Sequence, residues 1–201
     1  MGIGKRALDL VGASVVLALA SPLLVLGALA VLLGSGRPVF FGHRRLGREG
    51  VHFRCWKLRT MRVGAEAELA PESALHERYR GNSFKIPTGE DPRVTRVGGW
   101  LRRSYVDEIP QLFNVLNGTM SLVGPRPLVE DELELYGENA DELLRVRPGI
   151  CGEWTSHGRD RPPYPERAAM ELDYLRHRSL MKDLAILART IPVVFKGQKD
   201  R

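Results

Sequence analysis

The 201-residue chain has only two cysteines, Cys55 and Cys151, far apart and in no CxxC spacing. A disulfide framework is excluded, and each thiol reads as a small buried apolar residue in a reducing compartment. The five histidines are scattered without metal-ligand spacing. No P-loop, GxGxxG, GxSxG or HExxH pattern occurs, which removes the common NTPase, dinucleotide and hydrolase signatures. There is no internal repeat and no low-complexity tract. A composition of 43% apolar and 27% charged residues excludes a disordered chain.

One absence is local. From Leu10 to Gly36 there are 27 residues without a single charge. Directly behind them, residues 37–62 carry Arg37, Arg44, Arg45, Arg48, Arg54, Lys57, Arg59 and Arg62 against Glu49 alone. A basic block beside an apolar block points first to a membrane surface with anionic headgroups, and only second to nucleic acid. The apolar run is long enough to span a bilayer, since about 20 residues of helix cross the hydrocarbon core. A cleaved signal peptide fits poorly, because the run continues past Ala18-Leu19-Ala20 through Leu23–Leu33. The third reading is a re-entrant hairpin. Pro22 removes a helical donor near the middle, and a neighbouring Ser21 hydroxyl can serve the freed carbonyl. The arms, about 11 and 14 residues, would each rise only ~17–21 Å. Lys5 and Arg6 before the run, and the arginines after it, make both flanks positive, as on a cytoplasmic side. The residues alone leave hairpin and kinked span open.

Farther on, Val39–Phe41 and Val51–Leu58 read as a small β-hairpin turning at Gly47 and Glu49-Gly50. Residues 64–80 read as helical on either side of Pro71, and 81–96 as loop. Two short helices follow, Gly99–Arg103 and Asp107–Leu116, the second closed by Asn117-Gly118. Ser121–Pro127 reads as a Gly/Pro loop, 128–147 as an acidic helical region broken near Gly137, and 147–165 as irregular. Apolar spacing makes 166–191 helical, and the tail suits an interfacial end.

Asp107-Glu108 is the leading acidic pair. Pro110 suits a first helical turn, which places Asp107 at or near an N-cap as an ionised, exposed carboxylate able to act as nucleophile or metal ligand. Arg102 and Arg103 precede it. Pro125-Arg126-Pro127 holds Arg126 between two restricted residues, which suits phosphate recognition. Trp154, His157, Tyr164 and Tyr174 could stack on a base or sugar, or simply pack.

These segments together resemble the bacterial sugar transferase family, the monotopic phosphoglycosyl transferases in their minimal catalytic-domain form. The matching pieces are KRALDL with the apolar run and Ser21-Pro22, KLRTM at 57–61, DPRVTRVGGWLRRSYVDEIPQLFNVLNGTMSLVGPRPL at 91–128, RPGI at 147–150, GRD at 158–160 and ELDYLRHRSLMKDLAILARTI at 171–191. The resemblance implies an enzyme that moves a sugar 1-phosphate from a UDP-sugar to polyprenol (undecaprenyl) phosphate, releases UMP and initiates glycoconjugate or exopolysaccharide assembly. Asp107 would form a covalent phosphosugar intermediate and contact Mg²⁺, with Glu108 completing the dyad. Arg102, Pro125, Arg126, Pro127, Lys57 and Arg59 would hold phosphate, and Gly158 and Arg159 would contact nucleotide or sugar. Membrane phospholipids are implied as partners and nucleic acid is not.

The implied fold is mostly helical α+β. Residues 1–36 would form a re-entrant membrane helix-break-helix. Residues 37–201 would form a catalytic domain with a small β-hairpin and short amphipathic helices on the cytoplasmic face of the bacterial inner membrane. The segment CGEWTSHGRD departs from the family's TGxAQVNGRN pattern, which bears on donor specificity and not on reaction type. Two other readings use the same residues: a membrane-anchored module binding anionic lipid or nucleic acid, and a Mg²⁺-dependent phosphohydrolase.

Overall fold

The computed structural model describes residues 2–70, 72–82, 84, 86–157 and 163–197. It begins with a 33-residue helix, α1 (Ile3–Ser35), long and apolar enough to cross a membrane. Ser21-Pro22 does not end it: the helical backbone runs through Pro22. The reason is local. Pro22 cannot donate to the carbonyl four residues back, that of Ala18, and the Ser21 hydroxyl donates to that oxygen instead at 2.8 Å.

Both ends of α1 pack against the rest of the chain. At the start, Arg6 donates to the carbonyls of Val115 (2.7 Å) and Leu116 (2.9 Å). Lys5 pairs with Asp183 at 2.8 Å. The fully buried Asp9 accepts from the Ser121 hydroxyl and the Leu122 amide. At the far end Val31 is fully buried, and Gly27 lies against Leu58 and Val106 so closely that a Cβ would come within 2.8–2.9 Å of them. Arg59 donates to the carbonyls of Ser35 and Gly36, closing the helix C-terminus. Between these contacts Val15, Val16, Leu19, Leu23, Val25 and Leu26 stand exposed.

The hairpin forms where the sequence places it. β1 (Phe40–Leu46) and β2 (His52–Leu58) pair antiparallel, from Phe40 opposite Leu58 to Leu46 opposite His52. A short helix, α2 (Ala74–Gly81), is capped by Ser73. Next comes α3 (Arg96–Ser104), which starts earlier than Gly99 because Thr95 caps it: its hydroxyl accepts from the Gly98 amide at 2.9 Å. Tyr105 then takes the left-handed conformation (φ 58°), and Val106–Glu108 form a single 3₁₀ turn. The helix α4 (Gln111–Leu116) begins after Pro110. Asp107 is therefore not an N-cap; Pro110 is the boundary residue, and the 3₁₀ turn holds the acidic pair ahead of the helix.

Ser121–Pro127 is not wholly a loop. β3 (Ser121–Val123) pairs in parallel with β4 (Gly149–Cys151), inside the stretch read as irregular. Three-residue strands carry no alternation to detect, and each needs a distant partner. Residues 130–139 form 3₁₀ turns broken at Gly137, followed by α5 (Ala140–Leu144). α6 (Glu166–Arg176) and α7 (Leu180–Lys196) complete the chain. The main core gathers Ala13, Cys55, Val115, Met120, Leu122 and Ile186, among others. A second, smaller one of Val31, Leu58, Leu101 and Val106 lies beneath the acidic pair. Cys55 is buried, Cys151 half-buried, and both are free thiols.

Candidate active site

β2, the turn after α3, and the segment after β3 bring the charged residues together. Buried Asn114 fixes the first two: its Oδ1 accepts from the Trp56 amide (3.0 Å) and its Nδ2 donates to the Arg54 carbonyl (2.8 Å), tying α4 to β2. Lys57 then reaches Glu108, Nζ to Oε1 at 2.7 Å. Asp107 is only 5% exposed. It is not the exposed, readily ionised carboxylate of the sequence reading. Burial, with Glu108 beside it, pushes its pKa up to about 7, against the opposing pull of Lys57 and Arg102. Burial would lower the Lys57 pKa, but the two carboxylates outweigh it and hold the ammonium above its usual value.

Arg102 comes from the last turn of α3, and its Nε donates to the Thr60 hydroxyl at 2.9 Å. Its charge acts on both Asp107 and Glu108. The Pro125-Arg126-Pro127 turn is anchored at each residue. The Pro125 carbonyl accepts from the Gly149 amide, the Arg126 amide donates to Glu171, and the Pro127 carbonyl accepts from Arg45. The Arg126 guanidinium is enclosed. Burial alone would lower its pKa, yet Glu132 and Glu108 outweigh it and raise it. Lys57, Arg102, Arg126, Asp107 and Glu108 thus form one electrostatic group. Arg59 is placed elsewhere, on the α1 C-terminus. Gly158 and Arg159 lie outside the described residues.

Several supporting residues carry no local signal. Glu171, 1% exposed on α6, accepts from the Arg126 amide (3.0 Å), the Trp154 indole (2.6 Å) and the Tyr136 hydroxyl. Glu132 accepts from Arg45 and from the Val129 amide. Arg167 lies 3.6 Å over the Trp154 ring, so Trp154 packs on a cation as well as on Glu171. His43 on β1 is held down to about 4 by burial and by Arg45, so its imidazole is neutral at pH 7. In the sequence these residues are ordinary helix and strand positions; only the fold makes them neighbours.

A family model described as bacterial sugar transferase matches residues 1–197. The chain belongs to the bacterial sugar transferase family. Among curated relatives, this transferase is 44% identical over 194 residues to the exopolysaccharide production protein ExoY of Rhizobium meliloti (strain 1021), covering 96% of this chain and 86% of that protein. It is 40% identical over 195 residues to the undecaprenyl-phosphate galactose phosphotransferase of Salmonella typhimurium, covering 96% of this chain and 40% of that protein. It is 37% identical over 201 residues to the UDP-glucose:undecaprenyl-phosphate glucose-1-phosphate transferase of Escherichia coli K12, covering 96% and 40%. The transferase thus spans less than half the length of the last two.

Among the described residues no group of three or more His, Cys, Asp or Glu side chains forms a metal cage. The acidic pair nevertheless fits Mg²⁺. That ion is held by one or two carboxylates, keeps water, and takes its remaining ligands from substrate phosphate.

Proposed function

We propose that this transferase moves a sugar 1-phosphate from a UDP-sugar to polyprenol phosphate and releases UMP. One observation carries the reading: buried Asp107 and half-buried Glu108 interact with Lys57, Arg102 and Arg126 in a chain matched to the family over residues 1–197. The Asp107 carboxylate attacks the β-phosphorus of the donor. A bond from an Asp107 carboxylate oxygen to that phosphorus forms, giving an acyl phosphate that carries the sugar; the bond from the phosphorus to the α–β bridging oxygen breaks, and UMP leaves with that electron pair. A phosphate oxygen of polyprenol phosphate then attacks the same phosphorus, expels the Asp107 carboxylate and completes a lipid diphosphate sugar. Arg102 and Arg126 bind and orient phosphate oxygens. Lys57 holds Glu108 in place and offsets the charge beside Asp107. Mg²⁺, held by Asp107 and Glu108, would supply charge neutralisation at the phosphates. Relatives named for galactose and for glucose leave the sugar of this chain to assay.

The test is a panel of nucleotide sugars with polyprenol phosphate and Mg²⁺, scored by UMP release. Release from at least one UDP-sugar, with label passing to the lipid, is expected; release of sugar phosphate without any lipid acceptor would indicate a hydrolase instead. The same assay has a pH signature. Asp107 must be ionised to attack; burial raises its pKa and bound Mg²⁺ lowers it, so kcat/KM should fall on the acid side and that limb should move to lower pH as Mg²⁺ is raised. An acid limb that stays in place whatever the Mg²⁺ concentration would remove Asp107 as the group that must be ionised.

For topology, the reading is a re-entrant α1 with both ends on the cytoplasmic face of the inner membrane. Its support is that both ends touch the same soluble body, while the apolar middle is bare. A straight span would hold its ends about 50 Å apart across the bilayer. Cysteines introduced near residue 3 and near residue 45 should label from the same side; labelling from opposite sides would establish a span.

A further inference from the structure

At the opposite end of α1 from Asp107 lies a cavity of about 530 Å³ that the transfer reaction leaves unused. Its wall carries Lys5, Arg48, Arg145, Arg147 and Arg178; Arg48 pairs with Glu49 at 2.8 Å, Lys5 lies 3.4 Å from buried Asp9, and the wall's own carboxylate is Asp183. That carboxylate is already engaged: Lys5 Nζ lies 2.8 Å from it, and the Tyr174 hydroxyl donates to it at 2.7 Å. Arg145 and Arg178 are exposed at the rim. Two helices also begin at the wall, α1 at Gly2–Gly4 and α7 at Ser179–Leu180. The first turn of α1 has neither an acidic residue nor a side-chain cap, so its amide groups and the positive end of its dipole remain available. The rest of the wall is apolar, from Val123, Val146 and Leu180.

We infer that this cavity binds the phosphate headgroup of an anionic phospholipid. The start of α7 is capped by Ser179 and carries Asp183, so the cations and the uncapped start of α1 select a phosphate-bearing anion. The apolar wall, and the position at the foot of a helix whose exposed middle is uncharged and mostly apolar, select one carried on acyl chains over one free in water. The lipid ties the start of α1 at headgroup depth, away from the acidic pair, so the inference stands apart from the transferase reading.

The experiment uses the full chain in an uncharged detergent, titrated with short-chain phosphatidylglycerol, short-chain phosphatidylcholine or glycerol 3-phosphate. Thermal unfolding and native mass spectrometry provide the readouts. Phosphatidylglycerol should raise the unfolding midpoint and persist as one adduct per chain, and phosphatidylcholine should do neither. The double variant Arg145→Gln/Arg178→Gln, both exposed positions, should weaken phosphatidylglycerol binding about tenfold or more. Arg62→Gln/Arg96→Gln removes the same charge from other exposed positions and should change binding less than about twofold. Equal losses in the two double variants would overturn the site in favour of general charge attraction. Glycerol 3-phosphate binding as tightly as the lipid would overturn the lipid assignment, and indifference to phosphatidylglycerol would overturn both.

Discussion

Replacing Asp107 by asparagine should lower UMP release by a factor of at least about 10³ while the protein stays folded and keeps its membrane association. The amide fills the same buried space but cannot attack phosphorus. The Lys57–Glu108 pair at 2.7 Å is untouched, so nucleotide binding measured without Mg²⁺ should hold near its original affinity. Single-turnover assays with a UDP-sugar, alongside UDP binding, separate the two effects; full activity in Asp107→Asn would end the nucleophile assignment.

The same variant should also be more stable than the parent at neutral and alkaline pH. A carboxyl whose folded pKa is about 7 takes up a proton on folding between roughly pH 4 and 7. Stability therefore declines as pH rises through that window and stays reduced above it. Asp107→Asn lacks this loss, so its unfolding midpoint should exceed the parent's at pH 8 and approach it below about pH 4. Gain of stability with loss of turnover is the mark of a group kept at a cost for chemistry.

Replacing Gly98 by alanine should destabilise the protein by about 3 kcal/mol or more. A Cβ at this position would lie 1.9 Å from the Thr60 carbonyl oxygen and 2.6–2.7 Å from the carbonyl carbon and Cα of the same residue. All three are backbone, so no side chain can swing aside. The same contact positions Arg102 on the Thr60 hydroxyl, and activity should fall with stability. Gly99→Ala is the control. Its Cβ meets nothing nearer than 3.6 Å, and alanine favours the helix by about 1 kcal/mol over glycine. Denaturant unfolding of the pair measures both effects; equal midpoints would show that α3 and Thr60 separate freely.

Much of the candidate site is legible because its residues are close together in the chain. Arg102, Asp107 and Glu108 fall within seven positions, and Arg126 is held by its own flanking prolines. The hairpin is legible too, since its strands and turn are adjacent. β3 and β4 are not, because each is three residues long and its partner lies far along the chain. Arg59 illustrates the limit more sharply. It lies two positions from Lys57 in the same basic block, yet Lys57 meets Glu108 and Arg59 meets the end of α1. Charge content cannot distinguish them; the partners do, and those come from distant segments.

The sequence by itself determined a long uncharged apolar run with a basic block behind it, the family to which the chain belongs, and the acidic pair on which the chemistry is proposed to turn. Those are properties of composition and of short, contiguous motifs. Tertiary structure alone decided that Asp107 is buried and raised toward neutrality, that Ser21 lets the helix continue past Pro22, and that both ends of α1 rest on one body. It also decided that Glu171 anchors the Arg126 turn. The reason is physical: burial, pKa and charge pairing depend on what lies within a few ångströms in space, and here those neighbours are often 50 to more than 100 residues away in the chain.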